Sequence, residues 1–273
     1  MFTANSIRNV CLLGHSGSGK SALAESLLYM TGAIDRIGKN ADGNTVSDYD
    51  PEEIRRNISI STSLIPLTYK NMKINLLDTP GGFDFSGAVM EALRAADAAV
   101  IVCSAKDGIT VGFEKAWKYC EERNMPCFVY ISKVDEENAD YNVTFNALRE
   151  RYGNRIAPVV VPIWDGNHKV TGIIDVLNKR AFEMQNLKRV EIPVPEGKES
   201  VITEFNDALK ESVAETSDEF MDKFFGGEDF TYAEMIKGLH TGVVSRTLFP
   251  VLCGSGVTCL GSLMLMDHIL DFF

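Results

Sequence analysis

Residues 14–21 read Gly14-His15-Ser16-Gly17-Ser18-Gly19-Lys20-Ser21, and this stretch decides the fold that we predict. An apolar run at 7–13 precedes it, and an amphipathic stretch at 22–29 follows it. This layout places the glycines at a turn between a buried strand and a helix. Glycine, four residues and then Gly-Lys-Ser in that context is the pattern of a phosphate-binding loop. We therefore predict an α/β fold of the P-loop NTPase type that binds nucleotide phosphates at this turn.

The residue types in the loop suit a polyphosphate ligand. Glycines permit backbone angles that let successive N–H groups converge on one anion. The N-terminus of the following helix adds partial positive charge, and Lys20 adds a full charge. The Ser21 hydroxyl is a suitable ligand for Mg²⁺. The predicted nucleotide ligands in this loop are His15, Ser16, Gly17, Ser18, Gly19, Lys20, Ser21 and Ala22.

Composition predicts a globular protein with a substantial core, because 45% of the residues are hydrophobic and 24% are charged. The net charge of -11 disfavours nucleic-acid binding by overall attraction, so any RNA contact would be local or supported by a protein partner. No apolar run is long enough to span a membrane, and no signal-peptide layout is present. We expect a cytoplasmic protein without membrane contact. The six cysteines lack zinc-type spacing and are expected to be reduced core residues.

Residues 32–63 show little hydrophobic periodicity and follow the predicted loop helix directly. A polar segment of this length is either a disordered linker or a functional loop. In a nucleotide switch protein, the γ-phosphate and Mg²⁺ order such a loop, and hydrolysis releases it. The sequence leaves both alternatives open.

Two apolar runs, 64–69 and 73–77, predict a β-hairpin that ends at Asp78-Thr79-Pro80-Gly81. An acid at the end of a strand suits a Mg²⁺-linked carboxylate, and the glycine N–H suits a γ-phosphate sensor. The tetrad alone is also a common turn sequence. Its place at a strand end, about 60 residues after a phosphate loop, favours the functional interpretation.

Further apolar runs at 98–103 and 127–131 predict buried parallel strands, with helices at 86–95 and 113–123. The second run leads into Ser132-Lys133-Val134-Asp135. Ligands of open parallel sheets bind beyond the carboxyl ends of the strands, which places Asp135 near a nucleotide base. Its carboxylate can accept hydrogen bonds from both N1–H and the exocyclic amine of guanine. Adenine cannot donate both, so the acid predicts guanine selectivity.

The pattern changes from residue 158. Runs at 159–163 and 169–176 predict strands around a turn at 164–167, and residues 191–234 contain thirteen acidic but only three basic residues. Apolar spacing at Val201, Phe205, Leu209 and Val213 predicts a helix. Buried character returns as a strand at 248–252 and a helix at 260–270. We expect a nucleotide-binding domain at 1–157 and 246–273, and an inserted acidic subdomain at 158–245 that is either solvated or docks basic or helical partners.

These motifs, in this order, resemble the G domain of translational GTPases, specifically elongation factor G and its paralogues, over essentially the whole chain. Residues 14–21 are similar to the first motif, and 50–60 to switch I. Residues 78–85 are similar to switch II, 132–135 to the guanine motif and 254–256 to the last base-contacting loop. The resemblance implies a Ras-like G domain, with a mostly parallel sheet flanked by helices, and an α+β insertion subdomain.

The resemblance also implies GTP or GDP and Mg²⁺ as cofactors, and action on ribosomal RNA and stalk proteins as part of a longer protein. The isolated domain is expected to be a monomer. The implied metal ligands are Ser21, Ser59 and Asp78. The residues implied in hydrolysis are Lys20, Ser59, Gly81 and Gly82. The nucleotide ligands implied beyond the phosphate loop are Asp78, Gly81, Ser132, Lys133, Asp135, Ser255 and Gly256.

Several positions depart from the family pattern. Gly82 stands where members usually carry a histidine that orients the attacking water, and losing this group would slow hydrolysis. His15 is the nearest histidine that could replace it. Gly17 stands where many members have Asp, Asn57 replaces a switch I glycine, and Ser132 replaces the Asn of the guanine motif.

Three functions follow as hypotheses. The first is a GTPase in translocation or ribosome recycling whose missing activation the ribosome supplies. The second is a GTP-dependent ribosome-binding switch with negligible hydrolysis, or a ribosomal protection-type paralogue. The third is a P-loop ATPase or small-molecule kinase outside this family.

Overall fold

The computed structural model describes residues 2–165 and 168–273, and within these ranges the chain forms eleven strands and nine α-helices. The strands are β1 (Ile7–Leu13), β2 (Ser63–Tyr69), β3 (Met72–Asp78), β4 (Ala98–Ser104), β5 (Cys127–Ser132), β6 (Ile156–Pro158), β7 (Val160–Trp164), β8 (Val170–Asp175), β9 (Arg180–Gln185), β10 (Lys188–Ile192) and β11 (Phe249–Cys253). The helices are α1 (Lys20–Met30), α2 (Pro51–Arg56), α3 (Ser86–Ala95), α4 (Val111–Glu122), α5 (Tyr141–Tyr152), α6 (Glu199–Ala214), α7 (Asp218–Phe225), α8 (Tyr232–Ser245) and α9 (Ser262–Phe272).

Seven strands form the main sheet, in the order β2-β3-β1-β4-β5-β11-β6. Strand β2 is antiparallel to β3, and the other neighbouring pairs are parallel. Every residue of β4 and β5 is buried, which explains their uninterrupted apolar sequences. The predicted α/β fold of the Ras-like type is confirmed, and the predicted hairpin is β2–β3.

Two predicted helix starts differ from the structure for local reasons. Helix α4 begins at Val111, before the predicted residue 113, because the Thr110 side chain accepts a hydrogen bond from the N–H of Phe113 and caps the helix. Helix α9 begins at Ser262, after the predicted residue 260, because Gly261 takes a left-handed conformation with φ of 81°. Helix α5, which Asp140 caps, lies in a stretch for which the sequence predicted no element.

A second sheet is antiparallel, in the order β10-β9-β8-β7. Strands β7 and β8 match the predicted pair, whereas β9 and β10 were not predicted. The predicted turn at 164–167 includes residues 166 and 167, which lie outside the described residues. Helix α6 occupies the predicted place, but its buried apolar side chains are Ile202, Leu209, Val213 and Ala214, whereas Val201 and Phe205 are only partly buried.

The second sheet and helices α6–α8 pack on the main sheet within one hydrophobic cluster. The N–H of Val159 donates to the carbonyl of Val251 at 2.9 Å. The Ser212 hydroxyl on α6 donates to the carbonyl of Asn154 at 2.6 Å, next to β6. We propose residues 158–245 as the inserted subdomain, because the strands of the main sheet lie before and after this range, apart from Pro158 at the end of β6.

The polar segment between α1 and β2 has a defined structure in this chain. It contains α2 and a 3₁₀ turn at Asn40–Asp42. Asp50 caps α2, and Glu53 completes the capping box from the third helical position. This order favours the functional-loop alternative over a disordered linker.

All six cysteines are buried with free thiols, in agreement with their predicted place in the core. Burial raises the pKa of Cys103 to about 12 and that of Cys259 to about 11, so their thiolates are disfavoured at neutral pH. Among the described residues, no helix has both the length and the apolar character needed to cross a membrane.

Replacing Gly254 tests how tightly the end of β11 is packed. A Cβ at this position would lie 2.0 Å from the carbonyl oxygen of Leu260 and 2.3 Å from the hydroxyl of Tyr130. We expect Gly254→Ala to lower the free energy of unfolding by at least about 2 kcal/mol in urea denaturation. Gly87→Ala is the matched control, because a Cβ there meets nothing within 4 Å, and it should be neutral or slightly stabilising. Equal stability of the two variants would contradict the packing at Gly254.

Candidate functional site

The phosphate loop joins the carboxyl end of β1 to α1, as the sequence predicts. Gly19 precedes α1 with φ of 95°, a conformation that favours glycine. At Gly14, a Cβ would lie 2.4 Å from the carbonyl oxygen of Val102 on β4, so the loop backbone packs closely on the sheet. The first N–H groups of α1 therefore lie at the carboxyl ends of the parallel strands, where strand β3 also ends.

Lys20 is buried within the loop. Its ammonium group donates to the carbonyl oxygens of Gly14 at 3.1 Å and His15 at 2.9 Å. Burial lowers its pKa to about 8, although Asp78 and Asp48 oppose this shift. A desolvated cation of this kind is stabilised by an anion that enters the loop.

Asp78 lies at the end of β3 with only 1% of its surface exposed. Among the described residues, no donor forms a hydrogen bond of standard geometry with either carboxylate oxygen. Burial raises its pKa to about 6, and the positive charge of Lys20 opposes that rise. The hydroxyls of Ser21 and Ser47 lie near enough to lower the pKa further, without reaching standard hydrogen-bond geometry.

The predicted metal ligands lie together. The hydroxyl oxygens of Ser21 and Ser59 are 3.5 Å apart, and Ser21 is also next to the unpartnered carboxylate of Asp78. A buried carboxylate without a donor and two converging hydroxyls fit Mg²⁺, which prefers oxygen ligands and keeps some of its water.

The sequence analysis did not identify Asp48 as a site residue. It is 4% exposed and accepts hydrogen bonds from the Ser59 hydroxyl and the Asn40 amide, both at 2.7 Å. It therefore holds Ser59 beside the proposed metal position. No spacing or motif sets this acid apart from the other acids of a polar segment, so sequence reasoning had little signal to find it.

The switch II segment packs directly against the phosphate loop. The Thr79 hydroxyl donates to the carbonyl of Leu12 at 2.6 Å. A Cβ at position 81 would lie 2.4 Å from the backbone nitrogen of Ser16, so only glycine fits there. Gly82 has ordinary backbone angles, φ of -77° and ψ of 138°, and a Cβ there would lie 3.2 Å from the Phe85 ring. A side chain at position 82 therefore requires only a small shift of that ring.

The His15 ring lies in a cluster beside switch II. Its ring packs against Phe83, with 5.8 Å between ring centroids, and against the backbone at Gly112 on α4. The Lys115 ammonium lies 3.9 Å from the centroid of the same Phe83 ring. The imidazole therefore belongs to a packed cluster beside switch II and does not line the nucleotide cleft.

Ser132 connects the predicted guanine motif to the phosphate loop. Its buried hydroxyl donates to the carbonyl oxygens of Ser18 at 2.6 Å and Cys103 at 3.3 Å. The ammonium of Lys133 lies 3.3 Å from the carboxylate of Glu136. Asp135 is half-buried, and among the described residues no donor bonds to its carboxylate.

The last predicted loop rests on α1. The Ser255 hydroxyl accepts hydrogen bonds from the N–H groups of Val257 and Thr258, both at 3.2 Å. A Cβ at Gly256 would lie within 2.6–2.8 Å of backbone atoms of Ala22 and Leu23. The loop is joined to the guanine motif through Val134, whose N–H donates to the carbonyl of Gly254 at 3.4 Å.

Asn57 shows why a glycine of the family pattern can be replaced here. It ends α2 in a left-handed conformation with φ of 54°. After glycine, asparagine is the residue that most readily adopts this left-handed conformation. The backbone course of switch I is thus compatible with the substitution.

The phosphate loop, switch I and switch II surround a cleft of about 340 Å³. Predicted site residues that line it are Ser16, Gly17, Gly19, Lys20, Ser21, Ala22, Ser59, Gly81 and Lys133. Lining residues that were not among the predicted nucleotide or metal ligands are Asn40, Asn57, Ile58, Glu136 and Val257. Predicted residues that lie behind or beside the cleft are His15, Ser18, Asp78, Gly82, Ser132, Asp135, Ser255 and Gly256.

Comparison with known proteins agrees with this arrangement. Residues 5–273 match the family model described as the elongation factor Tu GTP binding domain. A crystal structure of a protein from Thermus thermophilus is similar, with a TM-score of 0.93 and 36% sequence identity. The match covers 99% of this chain and 40% of that protein, so the chain spans less than half the length of this relative. The chain belongs to the family of elongation factor Tu GTP-binding domains.

Proposed function

We propose that this chain is the GTP-binding and GTP-hydrolysing domain of an elongation factor G-like translation factor that acts on the ribosome. One observation carries the proposal: a buried carboxylate without a donor, Asp78, faces Ser21 beside the buried ammonium of Lys20. These groups lie where a phosphate loop and a strand end meet, and they suit a magnesium-bound triphosphate.

In this proposal the loop N–H groups, Lys20, the metal ligands and Gly81 each have a separate role. Loop N–H groups and the Lys20 ammonium bind the phosphates and stabilise the negative charge that develops during transfer. Ser21, Ser59 and Asp78 would hold Mg²⁺, which neutralises phosphate charge when bound. The N–H of Gly81 lies next to the phosphate loop and is suited to contact the γ-phosphate.

Asp135, which lies beside the cleft, supports selection of guanine. The carboxylate of Asp135 has no internal donor among the described residues and can accept two hydrogen bonds from guanine. Binding adenine would leave it with an unsatisfied acceptor, which is costly in a half-buried position. This difference disfavours the alternative of an ATPase or a small-molecule kinase.

Hydrolysis by the chain alone should be slow. Gly82 has no side chain to orient water, and the His15 ring packs against Phe83 outside the cleft. We propose that the ribosome, through its RNA and stalk proteins, supplies the missing orientation during translocation or recycling. We also propose a cytoplasmic location and a monomeric isolated domain.

The same observation at Gly82 favours a second candidate. The chain would then be a GTP-dependent ribosome-binding switch with negligible hydrolysis, or a ribosomal protection-type paralogue. Single-turnover GTP hydrolysis with and without ribosomes separates the candidates. Rates no higher than the protein-free background in both cases would eliminate the GTPase.

We expect Lys20→Ala to abolish binding of GTP, because the phosphate loop loses its only full positive charge. Asp135→Ala should weaken GTP binding while leaving the weaker binding of ATP unchanged. Titration with fluorescent GTP and ATP in magnesium buffer measures both effects. Glu137→Ala is a control, because that exposed acid lies outside the cleft lining. Unchanged GTP affinity in Lys20→Ala would refute the loop assignment.

We expect Gly82→His to raise ribosome-dependent GTP hydrolysis by at least about tenfold, because an imidazole at this position can orient water. The backbone angles and the space at position 82 accommodate the side chain. Gly87→His is the control, since it adds the same group to an exposed site on α3. If the rate in Gly82→His equals that of the control, the missing histidine does not limit hydrolysis.

A further inference from the structure

The switch segment, defined here as residues 38–61, is held by three buried carboxylates. These belong to Glu25, Asp48 and Glu53, each less than 5% exposed. Each of them accepts hydrogen bonds from the switch segment. Asp48 and Glu53 are part of the segment, whereas Glu25 belongs to α1. Glu25 is therefore the carboxylate among these three that connects the segment to another element.

Glu25 binds both ends of the first loop of the switch segment. One carboxylate oxygen accepts the N–H of Gly38 at 2.7 Å, and the other accepts the N–H of Val46 at 2.5 Å. Both donors are backbone groups, so the contact depends on the course of the chain and not on neighbouring side chains. A buried carboxylate that accepts N–H bonds at both oxygens makes charge-assisted hydrogen bonds, which are among the strongest in proteins.

Glu25 also has a fixed relation to the phosphate loop. It lies four residues after Ser21 on α1, and residues at this spacing lie on the same face of a helix. The face that presents the Ser21 hydroxyl to Ser59 therefore also presents the Glu25 carboxylate to Gly38 and Val46.

The rest of the switch segment continues this chain of contacts. Two residues after Val46, Asp48 accepts hydrogen bonds from Thr45 and Ser59. Glu53 then accepts the N–H groups of Ile60 and Ser61, at 2.9 and 3.1 Å, and fixes the stretch of chain that follows Ser59. Each step in this series is a hydrogen bond within the protein.

We propose that Glu25 is a positioning residue for the metal site, which anchors the switch segment on α1 and so holds Asp48 and Ser59 beside Ser21. The role of Glu25 at the metal site rests on the proposed function. The anchoring of the switch segment on α1 does not, because it depends only on hydrogen bonds within the protein.

Hydrogen exchange in the nucleotide-free protein tests the anchor directly. Glu25→Gln keeps the size of the side chain, but its amide nitrogen cannot accept an N–H, so one of the two bonds is lost. We expect exchange at the amides of Gly38 and Val46 to accelerate on the order of tenfold, as for one lost hydrogen bond to a charged group. Amides of β4 should keep their wild-type rates. Glu52→Gln is the matched control, because Glu52 is a partly exposed acid of the same segment that pairs with Arg55 and Arg56.

Two outcomes of this experiment would overturn the proposal. One is that the amides of Gly38 and Val46 exchange at the same rate in wild type and in Glu25→Gln. The other is that the substitution accelerates exchange of the β4 amides as much as that of Gly38 and Val46. If Glu25→Gln does not fold, Glu25→Asp keeps the charge on a side chain too short to reach both donors, and the same comparison applies.

Binding of fluorescent GTP supplies the functional readout. In Glu25→Gln the Mg²⁺ concentration for half-maximal binding should rise about tenfold, while Glu52→Gln matches wild type. An unchanged Mg²⁺ requirement would overturn the role of Glu25 at the metal site. Absence of any GTP binding by wild type would refute the proposed function, and the exchange experiment would still decide whether Glu25 anchors the segment.

Discussion

Two opposite charges, buried where the start of α1 meets the end of β3, organise this molecule. Lys20 and Asp78 are both removed from water, and each lessens the pKa shift that burial imposes on the other. Asp78 forms no standard hydrogen bond among the described residues, so this compensation is incomplete. The folded protein therefore retains unfavourable electrostatic energy at the cleft, which a triphosphate with its cation would relieve. Binding energy is available here because folding leaves these groups undersolvated.

The sheet topology brings the two charges together. Strands β1 and β3 are parallel neighbours, with Leu12 opposite Asp78, so the phosphate loop and switch II begin at the same end of the sheet, where the strands have their carboxyl ends. The loops after β5 and β11 begin at that end too, since β4, β5 and β11 run parallel to β1. The side chains that serve phosphate, metal and base thus come from distant parts of the sequence. They lie together because each crossover in a parallel sheet brings the chain back to the same end of the sheet before the next strand, so that all the carboxyl ends meet at the opposite end.

The sequence was sufficient to predict the phosphate loop, because its glycines, lysine and serine carry the chemistry locally. It was also sufficient to predict the buried strands β4 and β5, because short uninterrupted apolar runs of this kind are typical of strands inside a parallel sheet. It was insufficient for Asp48 and Glu25, whose roles depend on which backbone N–H groups fold back onto them. Strands β9 and β10 were missed because they are exposed on much of their surface and carry mixed charge. The apolar spacing that predicted α6 is only partly buried, since Leu209 and Val213 lie in the core whereas Val201 and Phe205 are half-buried and border a groove.

The bond from Ser132 to Ser18 has a consequence for how a purine would be recognised. The single hydroxyl proton of Ser132 is shared between two carbonyl oxygens, so no donor remains there for the imidazole edge of a base. Recognition under the proposed function then depends on the pyrimidine edge, where Asp135 accepts. Guanine analogues altered at N7 should be tolerated, while analogues that lack the exocyclic amine should be rejected. The chain would therefore read only one side of its base.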